Sequence, residues 1–350
     1  MGKYVLKRIG YMLIVLFILS ILMFLIYNLL PSNRAYTDAR SDMNAMKQML
    51  RDKTDAEKEQ IFQERYLEYQ RRYGTDTKNM AVRYLRWVGL MPKYYTGYDG
   101  LLQGNFGYSQ ELKDDVINVI KEPMKNTIFL NIFAIILALA ITIPLGIACS
   151  VHKGSKGDQT VQVATIIGYS LPSFIICIVF IWIFCSLLGW LPPSGMKTPG
   201  TNYTGWMWFK DRMYYLTLPL ITMTFCSLGG MTRYVRASMI DALSMDCIRT
   251  ARAKGVKEKV VIYSHAWRNA LIPVVTLVVG WFLSIFSGSI YFEQIFGYNG
   301  MGKLMISSLR TSDCDVIILL QLFYVFVSLI GNLVIDLVYG LVDPRVRVNA

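Results

Sequence analysis

The chain has 350 residues, of which 54% are hydrophobic and 17% are charged, and its formal net charge is +12. A soluble protein of this length needs a more polar surface, so the composition excludes an ordinary soluble enzyme and indicates a chain that lies largely in lipid. The basic residues lie between long apolar runs and form no continuous stripe, so membrane topology explains them better than nucleic-acid binding does.

The first predicted element is an apolar helix over residues 9–30. Because Lys3, Lys7 and Arg8 precede it, this segment resembles a signal peptide. The run is longer than a signal-peptide core, however, and no A-x-A cleavage site follows it. We therefore expect a retained first membrane helix, which together with its short tail forms a first segment of residues 1–30.

The next predicted element is a long connection of residues 31–126, which is rich in both charge signs. Apolar residues recur at helical spacing over residues 35–72, whereas residues 97–109 are rich in glycine and aromatic residues. We expect this connection to fold as a small, largely helical insert. A partly disordered linker is the alternative for residues 35–76.

The remaining residues, 127–350, form a predicted core with further membrane helices. A bilayer core of about 30 Å needs about 20 helical residues, and lipid offers no partner for unpaired backbone groups. The predicted spans two to six are 127–151, 161–188, 213–232, 271–292 and 316–335, the last continuing past Asp336 to Leu341. The sequence thus predicts an all-α polytopic membrane protein with six transmembrane helices.

The distribution of basic residues predicts which loops are cytoplasmic. With six spans, both termini lie on one side of the membrane, together with the connections 152–160 and 233–269. These connections are rich in Lys and Arg, so by the positive-inside rule they and both termini are predicted to be cytoplasmic. The connections 189–212 and 293–315 carry fewer basic residues and are predicted to face outward. Connections longer than about 60 residues cross the membrane largely regardless of their charge, so the insert 31–126 is also predicted to lie outside the cytoplasm.

The connection 233–269 is too long and too patterned to be a spacer. Asp246 is predicted to cap a short helix, and Gly255 is predicted to end it in the left-handed conformation that helix ends favour. Small and basic residues alternate along this helix, so it offers close backbone approach together with positive charge. The predicted docking residues are Asp246, Arg249, Thr250, Ala251, Arg252, Ala253, Lys254 and Gly255.

Spacing alone leaves two interpretations of this short helix open. In the first, the helix docks into a groove of another protein and acts as a lever that tilts the attached spans, so its role is mechanical and not chemical. In the second, it is part of a solvated basic loop that lies near anionic lipid headgroups.

A set of sequence motifs resembles the oligopeptide and dipeptide ABC importer permeases. The cytoplasmic signature of that family resembles RTARAKG at residues 249–255, with RYVRASMIDAL before it and HAWRNALIPVVT after it. The other matching motifs are GNFGYS at 104–109, NTIFL at 126–130, IPLGI at 143–147, SLPSF at 170–174, LGWLPPSG at 188–195 and DPRVR at 343–347. They follow the order and spacing of the family and cover nearly the whole chain from Tyr84 onward.

This resemblance implies a permease subunit in the cytoplasmic (inner) membrane of a bacterium. It implies pairing with a second, homologous permease, two ATP-binding subunits below and an extracytoplasmic solute-binding protein above. ATP and Mg are then expected on the partner subunits, with no cofactor and no metal bound by this chain and no catalytic residue in it. Residues 249–255 would match the coupling helix that rests on an ATP-binding subunit.

Two positions depart from the wider pattern. The broader importer signature begins Glu-Ala-Ala, whereas here Arg249 and Thr250 stand at its first two positions, as is usual in the peptide branch. The docking chemistry is therefore expected to be basic. In FGYNGMG, residues 296–302, Asn299 stands where the family often has Pro, which leaves the turn geometry open.

Several other motifs do not predict a chemical site. GYNGMGK at 297–303 matches part of a phosphate-binding loop, but Leu304 replaces the required Ser or Thr, so nucleotide binding is not predicted. His152 and His265 flank different spans, so no metal site is expected, and His265 is interpreted as a packing residue. The six cysteines contain no C-x-x-C pair and are interpreted as small buried residues. Asp336 in the last span is expected to be a structural carboxylate near Tyr339 and Arg345.

The predicted function is the permease subunit of an ATP-driven ABC importer that translocates di- or oligopeptides. Nickel complexes, glutathione and oligosaccharides are alternative cargoes for the same architecture. A secondary transporter or channel is the rival class; it predicts inverted repeats or several ionisable groups at mid-membrane depth, and the sequence has neither. No substrate-contacting residue is predicted.

Overall fold

The computed structural model describes residues 2–29 and 34–342, and DPRVR at 343–347 therefore lies outside the described residues. Within the described part the chain is almost wholly helical. Its only strands there are Tyr108–Ser109 and Asp114–Asp115, which pair antiparallel. This confirms the predicted all-α class.

The α-helices follow one another along the chain with short connections after the insert. They are α1 (Gly2–Leu29), α2 (Arg34–Ala45), α3 (Asp55–Tyr73), α4 (Met80–Val88), α5 (Val116–Val151), α6 (Lys156–Ser170), α7 (Ser173–Ile181), α8 (Gly205–Leu243), α9 (Asp246–Ala253), α10 (Glu258–Val260), α11 (Trp267–Leu283), α12 (Ile290–Ile295), α13 (Met301–Thr311) and α14 (Cys314–Val342). Short 3₁₀ turns cover Leu101–Gln103 and Ser284–Phe286, and π-helical turns cover Trp182–Leu187 and Val261–Ala266.

Four helical stretches in the described residues are long and apolar enough to cross a membrane. They are Val5–Ile26, Val116–Val151, Glu258–Phe286 and Cys314–Val338. The helix pair Lys156–Ser170 and Ser173–Leu187 forms a fifth candidate, bent by 107° at its break.

The bend interrupts the predicted span 161–188. Pro172 has no backbone N–H and disfavours helical geometry in the residue before it, and Leu171 is extended with φ −82° and ψ 136°. The predicted span 213–232 lies inside α8, which is not among the apolar helices above. Several threonines and a glycine pair make this segment less apolar than the others. The count of six spans therefore stays a prediction.

The described residues form two compact units. The first contains Lys121–Ile306 with the described parts of Met1–Ile9 and Tyr324–Ala350. Its largest apolar core joins α5, α8, α9 and α11, through side chains such as Ile147, Met239 and Val274. A Cβ added to Gly146 would lie 2.8 Å from the Val235 side chain, so the absence of a side chain there lets α5 approach α8 closely.

The second unit contains the described residues of Gly10–Ile120 and of Ser307–Phe323. Helices α2 and α3 form a hairpin in which the Tyr69 hydroxyl donates to Asp42 at 2.9 Å. Thr54 and Glu57 form a capping box at the start of α3, and Gly74 ends it with φ +72°. The insert is therefore largely helical, as predicted. The glycine-rich stretch 97–109 holds a 3₁₀ turn and the first short strand.

Candidate docking helix and its anchorage

The predicted docking helix is present as α9, and only its N-terminal end differs from expectation. Gly255 has φ +73° and follows the last turn, as predicted. Asp246 is not the N-cap. Met245 occupies that position in extended geometry, without a side-chain hydrogen bond, and Asp246 is the first helical residue. Its carboxylate lies at the positive end of the helix dipole and 3.5 Å from Arg249.

The inward face of α9 consists of Ile248 and Ala251, which are 0% and 9% exposed. Residues three apart share a helix face, and both side chains join the core that also contains Ile147 of α5, Met239 of α8 and Val274 of α11. Burial of Ile248 contributes about 2 kcal/mol to this packing. The core therefore fastens α9 to three long helices of its unit.

The position of Ala251 corrects one part of the predicted docking set. Ala251 was expected to permit close approach of a partner, but its side chain faces the core. The seven residues of the exposed face are Asp246, Cys247, Arg249, Thr250, Arg252, Ala253 and Lys254. Cys247 is exposed, which also corrects the expectation that the cysteines are buried.

The exposed face is less basic than the sequence suggests, because two of its cations lie beside carboxylates. Arg252 donates through Nε and Nη2 to the two carboxylate oxygens of Glu258, at 3.2 and 2.7 Å. Arg249 lies near Asp246, and its side chain is 75% exposed. Because the Arg249 side chain stays 75% exposed despite this contact and Lys254 is also exposed, these two are the cations best placed to meet a partner.

We expect Glu258→Gln to leave the melting temperature almost unchanged, because Arg252 and Glu258 are both exposed and surface ion pairs contribute little to stability. Thermal unfolding in detergent at low and high salt measures this change. A large fall in the melting temperature would contradict the assignment of the pair as a weak surface contact.

A second contact attaches the connection 152–160 to α8. Arg236 donates through Nε and Nη2 to Asp158, at 2.8 and 2.7 Å, and the Asp158 side chain is 3% exposed. The backbone N–H of Gly154 also donates to Asp158, and Ser155 caps α6. Both connections predicted to be cytoplasmic are thus held by α8.

A buried carboxylate in the connection 293–315 was missed by the sequence analysis. Glu293 has no exposed surface. It accepts hydrogen bonds from the Thr127 hydroxyl at 2.8 Å and from the N–H groups of Gly302, Lys303 and Ser289, at 2.7, 3.1 and 3.3 Å. Burial raises the pKa of Glu293, and these four hydrogen bonds oppose the rise.

The GYNGMGK segment therefore has a structural function. Its N–H groups at the start of α13 bind the chain's own Glu293 carboxylate. A Cβ added to Gly300 would clash with the Glu293 carboxyl group, so only glycine fits there. At the position where the family often has Pro, the Asn299 side chain accepts a hydrogen bond from Nζ of Lys303 at 2.7 Å.

Other residues singled out from the sequence are not part of α9. Asp336 pairs with Arg8 at 3.1 Å, whereas Arg345 and the Tyr339 side chain lie outside the described residues. His152 hydrogen-bonds through Nδ1 with the carbonyl oxygen of Ala148 at 3.1 Å, and His265 lies in a π-helical turn before α11. Within residues 2–29 and 34–342, no group of three or more His, Cys, Asp or Glu residues could hold a metal ion.

Comparison with known proteins gives a consistent family. Residues 142–348 match the family model of the binding-protein-dependent transport system inner membrane component. The chain is 36% identical over 267 residues to the oligopeptide transport system permease protein AppB of Bacillus subtilis, covering 76% of this chain and 80% of that protein. It is 30% identical to the oligopeptide transport system permease protein OppB of Haemophilus influenzae, covering 77% and 84% of the two chains.

A third relative matches along almost its whole length. The glutathione transport system permease protein GsiC of Escherichia coli K12 is 29% identical over 347 residues, which cover 99% of each chain. The family model covers more than half of the 350 residues, and it agrees with the apolar helices of the structure. This chain belongs to the family of inner membrane components of binding-protein-dependent transport systems.

Proposed function

We propose that this chain is the peptide-translocating permease subunit of an ATP-driven importer and that α9 is its coupling helix. The observation that carries the proposal is the division of α9 into two faces. One face is buried in the core of α5, α8 and α11, and the other exposes Arg249, Thr250 and Lys254. When a partner displaces a helix held in this way, the displacement is transmitted to the long helices packed against it.

The length of α8 determines how far from α9 this displacement is transmitted. At 1.5 Å per residue its 39 residues extend roughly 58 Å, more than the thickness of a bilayer core. Packed side chains in a dense core move together, so displacement of α9 tilts α8 and the helices packed on it. The change in tilt opens the pathway to one side of the membrane at a time.

The proposed assembly supplies what this chain lacks. A second, homologous permease completes the pathway, and an extracytoplasmic solute-binding protein delivers the cargo. Two ATP-binding subunits carry ATP and Mg and hydrolyse the nucleotide, so this chain itself acts as a non-catalytic subunit. The bacterial cytoplasmic membrane is the proposed location, with both termini and α9 on the cytoplasmic side.

Peptides are the proposed cargo. The names of the AppB and OppB relatives support this choice, and the name of GsiC supports glutathione as the second candidate. Glutathione is itself a tripeptide, so one pathway can suit both. Uptake of labelled alanine peptides into proteoliposomes that contain the whole importer, with and without excess glutathione, separates the two. Glutathione uptake without peptide uptake would overturn the peptide assignment.

Charge reversal on the exposed face tests the coupling role of α9. Arg249→Glu combined with Lys254→Glu is expected to weaken binding of the ATP-binding subunits about tenfold or more. The two cations that are proposed to face those subunits become anions, so attraction across the contact is replaced by repulsion. ATP-driven uptake falls with that binding. The measurements are co-purification from membranes and uptake by proteoliposomes.

Lys259→Glu is the matched control, because Lys259 is exposed on the same connection but lies outside α9. This variant is expected to keep binding and uptake. If the control and the α9 variant behave alike, or if uptake follows only the content of anionic lipid, then α9 is a solvated basic loop and not a coupling helix.

A further inference from the structure

The second unit contains a cavity of about 450 Å³ that the proposed function does not use. Its walls include the last turn of α1, with Phe24 and Asn28, and the first turns of α14, with Asp315 and Leu319. The rest of the lining comes from the insert. The cavity is large enough for a small polar ligand or a headgroup, and its lining combines charged and apolar side chains.

The charged side chains of the lining leave an excess of positive charge. They comprise four cations and three carboxylates, namely Arg34, Arg72, Arg83, Lys93, Asp99, Asp115 and Asp315. Arg34 pairs with Asp315 at 2.7 Å. In the part of the chain that the structure describes, no carboxylate lies within 4.0 Å of Arg72, Arg83 or Lys93. Lys93 is half-buried, and burial lowers its pKa. These cations favour an anionic occupant.

Two residues that line the cavity each have a buried polar atom with no hydrogen-bond partner among the described residues. They are Arg83, through its donor Nε, and Asn28, through its acceptor Oδ1. Buried polar atoms are rarely left unpaired, because each costs free energy. A ligand that reached both atoms would accept a hydrogen bond from the arginine and donate one to the asparagine.

The cavity lies at a membrane boundary. The apolar stretch Val5–Ile26 ends two residues before Asn28, and the stretch Cys314–Val338 begins one residue before Asp315. Trp87 lines the cavity, and the centroid of its ring lies 5.6 Å from that of Phe24. Tryptophan is enriched at the boundary between membrane and water. The predicted topology places this boundary on the outer side.

We propose that this cavity binds the headgroup of an anionic phospholipid from the outer leaflet. The phosphate would accept from Arg83 and lie beside Lys93, a headgroup hydroxyl would donate to Asn28, and an acyl chain would leave along Phe24, Leu319 and Leu322. Phosphatidylglycerol has both the anionic phosphate and the hydroxyl groups. Phosphatidylcholine has no hydrogen-bond donor, so it leaves Asn28 unsatisfied.

Native mass spectrometry of the purified full-length chain in detergent, titrated with each lipid, tests the proposal. Phosphatidylglycerol is expected to bind about tenfold more tightly than phosphatidylcholine, with one high-affinity molecule per chain. Equal binding of the two lipids would overturn the proposal and indicate an adventitious lipid only. Displacement of phosphatidylglycerol by trialanine would overturn it as well, and would indicate that the cavity binds a peptide carboxylate. The readout needs no ATP-binding subunit, so it is independent of the coupling role of α9.

Variants separate the cavity from general surface charge. Arg83→Gln with Lys93→Gln is expected to weaken phosphatidylglycerol binding about tenfold or more, because charge-assisted hydrogen bonds are lost. Arg51→Gln changes an exposed insert arginine outside the cavity and is expected to change nothing. Thr96→Trp fills the cavity from an exposed lining position and keeps every charge, so it tests occupancy even if the double variant fails to fold. Unchanged binding in Thr96→Trp would place the lipid elsewhere.

Discussion

Arg236→Met is expected to lower the free energy of unfolding by about 3–5 kcal/mol, because it leaves the buried carboxylate of Asp158 without its cation. Asp158 accepts two hydrogen bonds from Arg236, and its side chain is almost fully buried. The remaining donors, including the Gly154 N–H at 2.9 Å, do not replace a full positive charge. Thermal unfolding of the purified chain in detergent measures the loss.

Two comparisons make this result specific. Arg233→Met removes an exposed arginine of the same helix, α8, and is expected to cost less than about 0.5 kcal/mol. The double variant Asp158→Asn with Arg236→Met is expected to recover about half of the loss, since no charge is then buried. A loss below about 1 kcal/mol in Arg236→Met would show that the pair does not hold α6 to α8.

The same pair shows which contacts the sequence does not predict. Ser155 and Asp158 have the spacing of a helix start, so the cap of α6 is a local feature that sequence reasoning can find. The partner of Asp158 is Arg236, 78 residues away. Nothing in the spacing of either residue selects the other, because their meeting depends on the packing of α6 against α8.

Helix α9 likewise has local features that the sequence predicts and long-range contacts that it does not. Its existence and its end at Gly255 are local properties, and both were predicted. Which face is buried depends on side chains of α5, α8 and α11, and the burial of Ala251 was not predicted for that reason. A clue was available, because Ile248 is the one large aliphatic residue of α9 and Ala251 lies three residues after it, on the same helix face.

The all-α class was predictable because long apolar stretches in lipid have no other structure that satisfies their backbone. The break at Pro172 was less evident, since proline is tolerated in membrane helices and Pro144, Pro219 and Pro273 all lie inside helices here. The carboxylate of Glu293 was not singled out, since its partner Thr127 is 166 residues away. The glycine positions around residue 300 carried the available signal, because closely spaced glycines indicate a tight approach of other atoms.

Thr127→Val is expected to be the second strongly destabilising variant. It should lower the free energy of unfolding by about 2–4 kcal/mol at neutral pH. The Thr127 hydroxyl donates to Glu293 and accepts from the Met301 N–H, at 2.8 Å in both contacts. Valine has nearly the same shape as threonine but makes neither bond. The variant therefore removes the side-chain donor of Glu293 and leaves a buried N–H of α13 unpaired.

The loss in Thr127→Val is expected to depend on pH. Burial already raises the pKa of Glu293, and the hydroxyl of Thr127 opposes that rise, so its removal raises the pKa further. A carboxyl whose pKa is higher in the folded state than in the unfolded state stabilises the fold below the unfolded value and loses that contribution as the pH rises through the folded value. The destabilisation is therefore larger at pH 8 than at pH 5.

Thr127→Ser is the matched control, because serine keeps the hydroxyl that serves both contacts. It is expected to cost less than about 1.5 kcal/mol, the loss of one methyl group, and to show no added pH dependence. Unfolding of both variants in detergent across this pH range provides the comparison. If Thr127→Val were equally destabilising at pH 5 and pH 8, the hydroxyl would have no part in keeping Glu293 ionised. The start of α13 would then be held by the Met301 contact and by the backbone N–H groups that bind Glu293.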